Sequence, residues 1–173
     1  LAEARLNDGQ SLLAFNDLYV GVNTHTSARY HLSWNGKEES QSSSGIIIST
    51  GAGSTGWLSS IVNMTAGMAT FLGQKPRKDL QLKMEWDSPN LVFVVREPFA
   101  SRHSQASIVA GKIKRGHKLT LESNIPSGGC IFSDGVHADF LNFNAGTIAE
   151  IGVADHCARL VVPSPYGKNT TSF

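Results

Sequence analysis

Three glycines, Gly51, Gly53 and Gly56, have the spacing G-x-G-x-x-G, which lets a backbone approach a phosphate group closely. They follow a short β-branched run, residues 46–50, and precede apolar residues at helical spacing. In that context the N–H groups of the loop and the positive end of the helix can face a pyrophosphate or a ribose. The pattern therefore indicates a nucleotide-binding loop, although a tight strand-to-helix turn needs the same glycines.

A Rossmann fold uses the same spacing, but it continues into a second parallel strand that ends in an acidic residue roughly 20 positions later. Here the helical pattern is followed by residues 75–79, of sequence KPRKD, and then by runs that are typical of antiparallel strands. We therefore do not expect a Rossmann unit.

Short strand-like runs separated by turn residues fill most of the chain. The predicted strands are 12–22, 28–34, 46–50, 80–86, 91–96, 106–113, 118–123, 130–133, 138–143 and 147–153, with 160–162 as a further candidate. Residues 37–44 form a polar stretch between the second and third of them. Many short strands at regular spacing predict a mainly β, antiparallel sandwich-like domain.

One helix is predicted, over residues 55–71, with Gly73 as its end. The apolar positions that recur at helical spacing are Leu58, Ile61, Met64, Met68 and Phe71. This helix follows the glycine loop directly, so its first turn belongs to the candidate site.

The composition of the 173 residues, 40% hydrophobic and 17% charged, predicts one globular domain over residues 1–173. A net charge of +1 favours neither nucleic acid nor an anionic membrane as a partner. The longest apolar runs fall far short of the ~20 residues of a membrane helix, and Cys130 and Cys157 form no CxxC pair. We expect a cytoplasmic protein without a metal site, because the six histidines show no HxxxH or HExxH spacing.

Three separated segments resemble, in the same order, motifs of the C-terminal domain of NAD kinases. Residues 14–21 are similar to the family's Asn-Glu motif, with Asp17 in place of the glutamate. Residues 43–56 are similar to the Asp-Gly segment that leads into the family's glycine-rich loop, and residues 133–135 to a later Asp-Gly. Residues 27–30 and 95–102 resemble the mitochondrial-type branch and its bacterial relatives.

The resemblance implies a two-domain enzyme. Its N-terminal α/β domain would hold a Gly-Gly-Asp-Gly motif for ATP together with the catalytic aspartate, and its C-terminal β-rich domain would bind NAD. This sequence contains no Gly-Gly-Asp-Gly and begins at Leu1 rather than methionine, which we interpret as the boundary of a fragment. We therefore expect no catalytic residue here and no kinase activity from this chain alone.

In the whole protein, the expected reaction transfers the γ-phosphoryl group of ATP, with Mg²⁺, to the 2′-hydroxyl of the adenosine ribose of NAD, giving NADP. This domain would position the acceptor. By the same resemblance, the expected partners are NAD, ATP, the protein's own N-terminal domain and further copies of the chain in a homodimer or higher homo-oligomer.

At the adenosine end of NAD, the resemblance assigns binding to Asn16 and Asp17, because an amide can contact adenine and a carboxylate can accept bonds from ribose hydroxyls. Trp57, in place of the family's tyrosine, would stack on adenine. The alternatives are a hydrogen-bonded strand end for Asn16 and Asp17, and core packing at the start of the helix for Trp57.

Asp134 matches a family acid near the nicotinamide ribose, with a plain Asp-Gly turn as the alternative. At the nicotinamide end Ser44 replaces the family's aspartate and removes a charge. Arg96 and Arg102 can bind phosphate or take part in a surface network or a subunit contact. The loop residues expected to line the nucleotide are Gly53, Ser54, Thr55 and Gly56.

Two other functions remain open. A related lipid or sphingoid-base kinase shares the two-domain plan, and an apolar groove beside the glycine loop would favour it. The third interpretation is a noncatalytic nucleotide-binding or oligomerisation module.

Overall fold

The computed structural model describes residues 1–74, 82, 84–159 and 161, with the backbone alone at 137. In this part of the chain there are twelve strands and one α-helix, joined by short turns. The strands are β1 (Ala2–Leu6), β2 (Ser11–Ala14), β3 (Asp17–Val22), β4 (Ala28–Trp34), β5 (Lys37–Ser43), β6 (Ile46–Ser49), β7 (Asn90–Val95), β8 (Ala110–Lys114), β9 (Leu119–Ser123), β10 (Gly129–Ser133), β11 (Val136–Asn142) and β12 (Ile148–Val153).

The strands form two six-stranded sheets. Sheet A has the order β2-β1-β12-β9-β4-β5, and sheet B has the order β11-β10-β3-β6-β7-β8. Every pairing between the described strands is antiparallel. The prediction of a mainly β, antiparallel sandwich-like domain with one helix after the glycine loop is confirmed.

A single hydrophobic core fills the space between the sheets, since alternate side chains of each strand point inward. Sheet A contributes Leu32 and Leu121 to it, and sheet B contributes Val20, Ile48 and Phe93, all fully buried. The opposite side chains of β3, β6 and β10 are buried too, so these three strands are covered on both faces.

The second cover of sheet B includes α1 (Trp57–Phe71), which follows a 3-10 turn, Ala52–Thr55. Its first turns pack Trp57 and Ile61 against a small outer cluster formed by Tyr19, Ile47, Cys130 and Phe132. The helix ends where Gly73, at a φ of 75°, donates to the carbonyl of Thr70, and Gln74 donates to that of Ala69. Of the predicted apolar stripe only Leu58 is buried, and Phe71 is 81% exposed.

The predicted strand pattern was wrong in several places: β1 was not predicted, and only residues 110–113 of the predicted strand 106–113 are strand. Residues 12–22 are not one strand, because the chain leaves sheet A after β2 and enters sheet B with β3. The polar stretch 37–44 was not predicted as a strand, yet most of it forms β5, at the edge of sheet A. In the predicted strand 80–86 the described positions, 82 and 84–86, are not strand, and in 160–162 the one described position, 161, is not strand; the other positions of both lie outside the described residues.

Candidate functional site

The crossing from sheet A to sheet B at Phe15 and Asn16 is held by a carboxylate from the opposite end of the sequence. Asp134 Oδ2 accepts the amide of Phe15 at 2.9 Å, and Oδ1 accepts those of Asn16 at 2.6 Å and Asp17 at 3.2 Å. The amide of Asp134 donates in return to the carbonyl of Asp17 at 3.0 Å. The first and third motifs of the sequence therefore meet.

Asp134 takes this position because it lies in the hairpin between β10 and β11. Ser133 pairs with Val136, which leaves Asp134 and Gly135 as a two-residue turn. Both have positive φ, 51° and 74°, as the favoured two-residue hairpin turns require of an Asp-Gly pair. The plain-turn interpretation of this motif thus describes its backbone, while its side chain reaches the other strand.

The glycine loop packs directly on the same crossing. A Cβ at Gly53 would overlap the carbonyl oxygen of Asn16, so glycine is required there. The carbonyl of Asn16 accepts the amide of Thr50 at 2.9 Å, and the Thr50 hydroxyl donates to the carbonyl of Phe15 at 2.6 Å. The second motif is thereby fixed against the first.

Several polar groups of the loop are bonded within the loop itself. The buried Ser54 hydroxyl donates to the carbonyl of Gly51 at 2.7 Å, and the amide of Gly53 donates to the Thr50 hydroxyl at 3.2 Å. Thr55 and Gly56 are exposed beside the first turn of α1. The loop thus has a rigid buried half and an accessible half.

Asp17, in contrast to Asp134, has a carboxylate without a bonding partner among the described residues. It is only 9% exposed and lies on the same face of β3 as Tyr19, the face that looks towards α1. Burial, and secondarily the negative charge of Asp134, raise its pKa above the usual value. The site therefore contains a largely buried acid whose carboxylate oxygens reach solvent and accept no hydrogen bond from the described chain.

Trp57 lies in an aromatic stack that the sequence did not reveal. Its indole is parallel to the ring of Tyr19, at 8° and 5.8 Å between centroids, and Tyr19 in turn stacks on Phe132 at 4.8 Å. The Arg96 guanidinium lies 5.4 Å from the indole centroid, a cation–π distance. The Trp57 ring is thus held by contacts with Tyr19 and Arg96, and the residue is half-buried.

Tyr19 lies flat on sheet B because two glycines leave room for it: a Cβ at Gly21 or Gly45 would overlap its ring. Its hydroxyl is 3.2 Å from the carbonyls of Val22 and Ser44. One signal of this arrangement is visible in the sequence: a glycine stands two positions after Tyr19 within a strand, which marks a close approach.

The remaining candidates are spread more widely. Ser44 presents its carbonyl to Tyr19 and to Arg96 Nη1 at 3.5 Å, and Arg102 lies in an exposed loop away from the stack. Within the described ranges no group of three or more His, Cys, Asp or Glu side chains could hold a metal ion. Nor does the described chain include a helix long and apolar enough to cross a membrane.

A groove of about 620 Å³ runs between α1 and the outer face of β7 and β8, and we call it the α1 groove. Ile61, Met64, Val92 and Val94 contribute to its largely apolar lining, and Trp57 and Arg96 lie at its border with the stack. An apolar groove therefore does adjoin the glycine loop through the first turn of α1.

Comparison with known proteins gives a fold and no sequence family. No family model matches the chain, and no curated protein matches its sequence. Its fold is that of an NAD kinase-like C-terminal β-sandwich domain. One solved structure with a similar fold is that of yeast NADH kinase in complex with NADH, which aligns over 87% of this chain and 39% of its own, with a TM-score of 0.60 and 14% identity. The chain thus spans about two fifths of that enzyme's length, and the likeness does not distinguish a branch.

Proposed function

We propose that this chain is the acceptor-binding domain of an NAD kinase, in which Asn16, Asp17, Thr55 and Trp57 hold the adenosine end of NAD. The observation that carries the proposal is the buried Asp17 carboxylate, which has no hydrogen-bond donor among the described residues. The fold shared with a kinase crystallised with NADH supports it.

A largely buried carboxylate without protein donors depends on water for its hydrogen bonds, and a ligand that supplies hydroxyl groups can replace that water. Ribose carries two adjacent hydroxyls, which match an acceptor with two oxygens. Asp17 lies next to Asn16, whose exposed side-chain amide can donate to and accept from an adenine edge. The two neighbours therefore suit the two halves of adenosine.

The other predicted residues divide into two roles in this proposal. Thr55 and Trp57 contact the nucleotide from the accessible side of the loop, with the indole offering a flat face to adenine. Gly53, Ser54 and Gly56 shape the loop, since Gly53 is packed against Asn16 and the Ser54 hydroxyl bonds inside the loop.

Positioning is the contribution this domain makes to phosphoryl transfer. Bound ATP with Mg²⁺ supplies the phosphoryl group and charge neutralisation. The resemblance assigns the Gly-Gly-Asp-Gly motif and the catalytic carboxylate to a preceding domain, and the described residues hold no metal-binding cluster. Orientation of the 2′-hydroxyl by Asp17 is the step this chain contributes.

Calorimetric titration of the chain with NAD tests the proposal, with Asp17→Asn as the main variant. Loss of the acceptor charge is expected to weaken binding at least about tenfold, or 1.4 kcal/mol. Asn16→Ala and Trp57→Ala are expected to weaken it as well. Asp139→Asn, an exposed acid on β11, is the matched control and leaves the affinity unchanged. A folded chain that fails to bind NAD, or that binds it equally well without Asp17, contradicts the proposal.

The α1 groove favours a second candidate, a lipid or sphingoid-base kinase domain. Its volume is in the range of small-molecule sites, and its lining suits a hydrocarbon chain. Titration with a sphingoid base separates the two candidates. Met64→Asp places a charge in the groove and would abolish lipid binding while leaving NAD binding intact, whereas Asp17→Asn would have the opposite effect.

A further inference from the structure

The carboxylates of Asp134 and Asp17 differ in how many hydrogen bonds they accept from the protein. A carboxylate has room for about four donors, and that of Asp134 already accepts three consecutive backbone amides, from Phe15 to Asp17. The turn geometry and the return bond to the Asp17 carbonyl fix its backbone as well. Little capacity is left for a ligand.

We propose that Asp134 is a positioning residue, whose carboxylate holds the backbone of residues 15–17 so that the Asn16 and Asp17 side chains meet the nucleotide. This inference rests on the proposed function of the site. It replaces the direct ribose contact that the family resemblance assigns to Asp134.

The mechanical reason lies in the strand crossing. Residues 15 and 16 belong to neither sheet, so ladder bonds do not hold them. Their fixed points are Asp134 on one side and Thr50 on the other. Removing the carboxylate leaves three amides without their acceptor and frees the segment on which Asn16 and Asp17 are carried.

The hairpin between β10 and β11 also affects the pKa of Asp17, through the charge of Asp134. Burial is the larger cause that raises the pKa of Asp17, and the negative charge of Asp134 adds to it. Neutralising Asp134 removes the smaller of these two causes, and freeing residues 15–17 removes part of the burial, so both effects lower the pKa of Asp17.

The test compares wild-type chain with Asp134→Asn and Asp134→Ala, with Asp139→Asn as control. Asparagine has the same shape and a single acceptor oxygen, so it preserves the hairpin if alanine does not. Without ligand, amide hydrogen exchange at Phe15, Asn16 and Asp17 is expected to accelerate in both variants. The Asp17 pKa, followed by carboxyl NMR, is expected to fall.

With NAD, each Asp134 variant is expected to lose about tenfold in affinity or more, and combining it with Asp17→Asn adds little further loss, because both changes remove the same interaction. Losses that multiply, or exchange at residues 15–17 that stays as in wild type, overturn the inference and indicate a direct contact. If wild-type chain binds no NAD, the proposed function fails first, and the positioning role fails with it.

Discussion

The outer faces of the two sheets differ although both sheets share one core. On sheet A, β1, β4 and β9 alternate between buried and accessible residues, and the outer face carries ion pairs such as Arg5–Glu3 and Lys118–Glu150. On sheet B, β3, β6 and β10 are buried throughout. Sheet A therefore meets water, whereas sheet B meets α1 and the residues of the candidate site.

This difference in exposure to water determines how strongly a single side chain affects stability or binding. Exposed ion pairs on sheet A are screened and contribute little. On sheet B an unpaired carboxylate, a stacked tyrosine and glycines in close contact lie within a few residues of each other, because a second cover removes water from that face. The outer face of sheet B thus carries both the candidate site and a second layer of packed side chains.

The largest contrast is expected from Tyr19→Ala on sheet B and Glu122→Ala on sheet A. Tyr19 is 8% exposed and stacks on two rings, so its loss is expected to cost about 3–5 kcal/mol. Glu122 is exposed, and its loss is expected to change stability by less than about 0.5 kcal/mol. Chemical denaturation measures both, and similar costs would remove the distinction between the faces.

Gly53→Ala is expected to be the next largest change. The added methyl overlaps the Asn16 carbonyl, so the loop or the strand crossing must move, at a cost of about 2–3 kcal/mol and with reduced NAD affinity. Gly67→Ala in α1 is the control, because a Cβ there meets nothing within 4 Å and the residue lies outside the loop. Equal behaviour of the two variants in denaturation and titration would contradict this account of the loop.

Asp17→Asn is expected to affect stability in a pH-dependent way. Because burial raises the pKa of the folded carboxyl above its usual 3.8, ionisation destabilises the fold. This cost is absent below that value and complete above the raised pKa. The variant is therefore expected to melt at a higher temperature than wild type at pH 7 and at the same temperature at pH 3.

Asp139→Asn, which is exposed, is the control for that measurement and changes the melting temperature at neither pH. A gain for Asp17→Asn of equal size at both pH values would show that charge is not the cause.

The smallest effect is expected in α1. At Gly67 a Cβ would have open space, so Gly67→Ala is expected to stabilise the chain by about 0.5–1 kcal/mol through helix propensity alone. Gly73→Ala, at a φ of 75°, is expected to destabilise it by about 1 kcal/mol. Thermal melting distinguishes the two, and a loss at Gly67 would show that α1 is more tightly packed than its exposure indicates.

Many strands of the sandwich could be predicted because their side chains alternate between the core and solvent, which gives an alternating apolar and polar sequence. Residues 28–34 are an example, since their alternating pattern matches β4 to the residue. β5 could not be found in this way, because its inward side chains are polar. Glu39, for instance, is buried and accepts the amides of Ser107 and Ile108 from a distant loop, and only the folded chain provides those donors.

The sequence indicated candidate site residues but not their arrangement. The apolar pattern continues through residues 12–22, and the break at Phe15 and Asn16 is imposed by Asp134 and Thr50, which are far away in sequence. Tyr19 was missed for the same reason, since its importance depends on Trp57 and Phe132. The ligand roles of the predicted residues stay predictions.

The sequence by itself determined what depends on neighbouring residues: the strand periods, the helix from Trp57 to its glycine end, and the Asp134–Gly135 hairpin turn. The tertiary structure alone decided which acid is held by amides and which is buried without a partner. Asp134 and Asp17 have similar side chains, and their difference arises from the backbone that surrounds each one after strands distant in sequence have packed together.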